Sequence, residues 1–74
     1  MTKFRLTACV DVTDAGRIQF GFDVTSTDLD DMGDERELAI WLVCECIAKE
    51  LPGKRPIFRT MDYWLRPLAD QGLA

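Results

Sequence analysis

Thirteen of the 74 residues are Asp or Glu and none is His. The usual general base near neutral pH is therefore missing. The Ser-His and Cys-His nucleophile pairs and histidine metal sites are excluded outright. The carboxylates crowd at Asp28, Asp30, Asp31, Asp34 and Glu35, and two kinds of work suit such a group: holding a hard cation, or acid and base catalysis by a carboxyl pair. Asp28, Asp30 and Gly33 stand at positions 1, 3 and 6 of an EF-hand loop. Met32 then falls at position 5 and Ala39 at position 12, so a ligand and the bidentate glutamate are both missing. A carboxyl pair needs a cleft, for which a chain this short has little room, and among so many acids chance pairs are certain. No catalytic set, metal site or cofactor is expected. Of the three cysteines, Cys44 and Cys46 diverge by about 200° on a helix, and an odd number cannot all pair within one chain. They are expected to be free structural thiols.

If the acids do not catalyse, they can still steer. Residues 11–37 hold Asp11, Asp14, Asp23, Asp28, Asp30, Asp31, Asp34, Glu35 and Glu37 against Arg17 and Arg36, whereas Lys49, Lys54, Arg55, Arg59 and Arg66 outnumber Glu50 and Asp62 further on. The net charge is −4, and it is polarised along the chain. Phosphate recognition needs a basic footprint, so direct nucleic-acid binding is disfavoured and a protein partner with a basic surface is favoured. No run reaches the roughly 20 apolar residues of a membrane span. The first ten residues, MTKFRLTACV, lack the basic-then-apolar layout of a signal peptide, which makes a cytoplasmic location the expectation.

The elements that must position these groups follow from periodicity. Asp34 to Leu51 reads as one helix, with Asp34 as N-cap, Glu37 completing a capping-box pattern, and Pro52-Gly53 as its stop. Ile40, Val43, Ile47 and Leu51 form one stripe, flanked by Ala39, Cys44 and Cys46. Leu38, Trp41 and Leu42 stand on the other side, around Glu45 and Lys49. One helix thus offers two apolar faces, of which a small domain buries only one unaided.

Lys3 to Val12 and Arg17 to Thr25 alternate strictly and predict a β-hairpin with the even-numbered residues inward. Matching parity on the two strands requires a three-residue loop, and Asp14-Ala15-Gly16 would set Val12 beside Ile18, Val10 beside Phe20, Ala8 beside Phe22 and Leu6 beside Val24. Gly21 would then face Cys9, as a twist or bulge position. Ser26 to Gly33 reads as a polar acidic loop. In the tail, Pro56 to Arg59 suits a short extended piece beside the first strand. Met61, Trp64, Leu65 and Leu68 fall at helical spacing, and a helical turn capped by Thr60 is preferred there; the rival is a strand continuing through Leu65.

The expected fold is α+β over residues 1–74 as one domain: an antiparallel hairpin with room for a third short strand, packed on one main helix, and a short C-terminal helical or extended segment. Trp41 is either covered by a returning tail or left open as an anchor, as tryptophan often is at interfaces. In size, acidity and hairpin-plus-helix layout the whole chain resembles small phage-encoded anti-defence proteins, notably anti-CRISPR proteins. That resemblance implies a non-enzymatic inhibitor in a bacterial host cell, binding a CRISPR effector complex and blocking DNA recognition or nuclease recruitment; it carries over no site residue. The partner-binding residues expected from the chain itself are Asp28, Asp30, Asp31, Asp34, Glu35, Leu38, Trp41, Leu42 and Glu45. The alternative is a homodimeric structural or accessory protein that uses the Trp41 helix face as its own interface.

Overall fold

The alternating segments form the strands they predict, because each has one apolar side to bury and one polar side to leave in water. A computed structural model describes residues 3–68. In chain order it contains β1 (Lys3–Val12), β2 (Gly16–Thr25), α1 (Ser26–Met32), α2 (Glu35–Glu50) and β3 (Pro56–Pro67). The strands make one antiparallel sheet in the order β2-β1-β3, with α2 across its inner face. The expected α+β class holds, with one helix more than expected and a full third strand.

The hairpin keeps the expected faces but not the expected register. Val10 lies opposite Ile18, Ala8 opposite Phe20, Leu6 opposite Phe22 and Phe4 opposite Val24, a slip of two residues that leaves parity unchanged. The loop is Thr13-Asp14-Ala15, closed by Val12 and Gly16, and the Ala15 N–H donates to the Val12 carbonyl at 2.9 Å. Asp14 takes a left-handed φ of 66° and Gly16 one of 83°. Aspartate tolerates that region better than most residues, which lets the chain turn before Gly16 rather than at it. Gly21 consequently faces Thr7, and Cys9 faces Gln19. A Cβ at Gly21 would meet only the Arg5 side chain, at 3.7 Å, so the Arg5 stem lies across this position.

Ser26 to Met32 is helical rather than a loop. The Thr25 hydroxyl accepts from the Asp28 N–H at 3.2 Å while the Asp28 carboxylate accepts from the Thr25 N–H at 2.8 Å, a complete capping box. Gly33, at φ 75°, closes the other end. Asp34 caps α2 as expected, although its carboxylate accepts from the Arg36 N–H at 2.8 Å. No bond from Glu37 completes a second box among the described residues.

The preferred helical turn from Thr60 is overturned, because Pro56 to Pro67 is one strand beside β1. Leu6 faces Leu65, Ala8 faces Tyr63 and Cys9 faces Asp62, but Asp11 faces Ile57. The residues between Ile57 and Asp62 bulge opposite Val10 and invert the strand's parity. That inversion breaks the alternation in the sequence and lets Met61, Trp64, Leu65 and Leu68 imitate a helix. Residues 69–74 of the tail lie outside the described residues.

The core gathers Leu6, Ala8, Val10 and Val12 of β1, Val24, Met61, and Leu38, Ala39, Val43 and Ile47 of α2. The helix α2 packs over β1 and β3 more than over the edge strand β2. Ile18, Phe20 and Phe22 therefore remain half-buried on the inner face of β2. Among the described residues no helix is long and apolar enough to cross a membrane.

Candidate protein-binding surface

The two-faced character of α2 is resolved by α1. Ala39, Val43 and Ile47 face the sheet, while Leu38, on the second face, is only 3% exposed. Leu38 and Met32 line one cavity of about 200 Å³ at the junction of the two helices, so α1 roofs the first turn of that face. Leu38, expected among the partner-binding residues, belongs to the core. Trp41, three residues on, stays 52% exposed. Neither Trp64 nor Leu65 covers it, because both lie on β3, with Trp64 on the opposite, outer face of the sheet beside Thr7.

The cavity between the helices has an apolar floor of Met32 and Leu38, the indole of Trp41 on one side, and Asp28 and Asp31 on its rim. The acids around it do different work. One oxygen of Asp28 is committed to the Thr25 N–H and one of Asp34 to the Arg36 N–H. Asp30, Asp31 and Glu35 are exposed, and none of the ion pairs among the described residues includes them. Arg36 directly follows this run, yet its guanidinium donates to the Phe58 carbonyl at 3.3 Å and forms no ion pair with these acids. The acids of the sheet's outer face are paired: Asp23 with Arg5 at 2.8 Å, and Asp62 and Asp11 with Arg17 at 2.6 and 3.6 Å.

Two expected residues fall elsewhere. Leu42 and Glu45 line a second cavity of about 250 Å³ with Phe22, Cys46, Lys49 and Glu50, in the groove between α2 and β2. Met32 was missed as a wall of the first cavity; the signal for it was the Thr25–Asp28 capping pattern, which turns Leu29 and Met32 to one side of a helix.

An apolar pit with an aromatic wall and a carboxylate rim suits the side chain of an arginine or lysine, which lays its methylenes on apolar surface, its cation against the indole and its charge toward a carboxylate. The EF-hand spacing of Asp28 and Asp30 falls within α1, where the two diverge by about 200° instead of lining one loop. Among the described residues no three His, Cys, Asp or Glu side chains gather to hold a metal ion. Cys9, Cys44 and Cys46 are free thiols. Comparison of the chain with protein-family models, curated proteins and solved structures finds no match.

Proposed function

We propose that this chain is a non-enzymatic binding protein that inhibits a nucleic-acid-handling bacterial complex by occupying its basic surface, a CRISPR effector complex being the class of partner that the chain's general character implies. The reading rests on one observation: Trp41 stands open beside a pit whose rim carries carboxylates that have no cationic partner among the described residues. A basic side chain of the partner enters between Trp41 and Asp31, while Asp30 and Glu35 take up positions that phosphates would otherwise fill. Complementary charges drive the encounter and the desolvated indole slows release. Using the same face as a two-fold contact between copies would set Asp31 and its neighbours against themselves, which disfavours the homodimeric alternative at this site.

The test leaves the two capping acids in place. Replacing Asp30, Asp31 and Glu35 together by Lys should slow association with the partner and flatten its salt dependence, while thermal unfolding stays nearly unchanged. An unaltered salt slope would remove the acidic surface from the reading. Added in excess to a purified CRISPR effector complex, the wild-type chain should lower target-DNA binding; undisturbed DNA binding would dismiss that class of partner.

A further inference from the structure

The two edges of the sheet are unlike. β3 begins at Pro56, ends at Pro67 and is interrupted by a bulge, all devices that stop another strand from pairing with it. β2 has none of them: it runs ten residues from Gly16 to Thr25 in unbroken register, with no proline, no lysine and no bulge. Its outward backbone groups can be assigned. The Thr13 N–H donates to Arg55 and the Leu68 N–H to the Lys3 carbonyl, so the odd-numbered residues of β1 bond to β3 and the even-numbered ones to β2. By the alternation of an antiparallel ladder, Arg17, Gln19, Gly21 and Asp23 of β2 turn their N–H and C=O groups to the open side.

We propose that this edge is a two-fold interface, through which two copies of the chain join their sheets antiparallel in a register centred on Phe20. That register is chosen by the side chains. It places Arg17 opposite Asp23 of the second copy and Asp23 opposite its Arg17, while a shift of two residues in either direction loses both contacts. It also pairs Phe20 with Phe20 and Ile18 with Phe22 across the axis, in the non-hydrogen-bonded positions where side chains approach closest. These are the inner-face residues that α2 leaves half-buried. Arg17 already holds Asp62, and Asp23 already holds Arg5, so each new contact extends an alternating row of charges: Asp62, Arg17, Asp23 of the other copy, Arg5 of the other copy. On the outer face near the axis Gly21 carries no side chain of its own, and the Arg5 stem that lies across it belongs to the same row of charges.

Sedimentation velocity over a concentration series tests the interface with four chains: wild type, Arg17→Asp, Asp23→Arg, and a one-to-one mixture of the two variants. Wild type should dimerise. Each variant alone sets like charges opposite each other twice and should dimerise roughly tenfold more weakly, whereas the mixture pairs Asp with Arg at both contacts and should recover the dimer. Amide hydrogen exchange on the wild type needs no variant: Gln19 and Gly21 should gain protection as concentration rises. A wild-type chain that stays monomeric, a dimer indifferent to both substitutions, or one that leaves those amides unprotected would overturn the proposal.

Discussion

Leu38 and Trp41 are three residues apart on one helix, and they end in opposite environments. The apolar spacing of Asp34 to Leu51 makes both visible as a second face, but it cannot say which residue is covered, because the cover is α1 and not part of the helix. The distinction is measurable by equilibrium unfolding in urea. Leu38→Ala empties a buried site and should cost about 3 kcal/mol. Trp41→Ala should change stability by less than about 1 kcal/mol and yet weaken partner binding at least tenfold. A small loss at Leu38 would mean that the face is open there. The acids divide similarly. Within Asp28 to Glu35, Asp28 and Asp34 each satisfy a backbone N–H at a helix start, while Asp30, Asp31 and Glu35 have no side-chain partner among the described residues, a division invisible while the segment is read as a loop.

At the scale of elements, periodicity located both strands of the hairpin and the whole of α2, and it failed at α1 and β3 for different reasons. α1 has seven residues, too few for a helix to stand alone in water and too few to show a stripe; it is held by its caps and by packing on α2. Thr25→Ala should therefore lower stability by about 1 kcal/mol and shift Trp41 emission to the red as the roof over Leu38 loosens. Fluorescence during urea titration checks both, and an unshifted spectrum would separate α1 from the Trp41 environment. β3 was obscured by its bulge, which turns Met61 inward and Trp64 outward where a helical turn would have set them on one face. Met61 is 7% exposed and Trp64 43%. Met61→Ala should cost about 2 kcal/mol or more and Trp64→Ala far less, a contrast that a helical tail would not produce.

For the whole molecule, the polarised charge was legible in the residue order, and folding sharpens it. Ion pairs join β2 to its neighbours on the outer face, while the acids of α1 and the first turn of α2, beside the exposed indole, have no ion-pair partner among the described residues. The molecule therefore has one acidic, aromatic end fitted for a basic partner and, along β2, one edge fitted for its own copy. Whether the acidic end is where contact occurs is tested most directly by photo-crosslinking. A benzophenone side chain in place of Trp41, and separately in place of Trp64, is activated in bacterial lysate containing the chain. The expected result is a salt-sensitive adduct with a basic protein from position 41 and none from position 64; adducts from position 64 alone, or from both positions regardless of salt, would contradict the assignment of this surface.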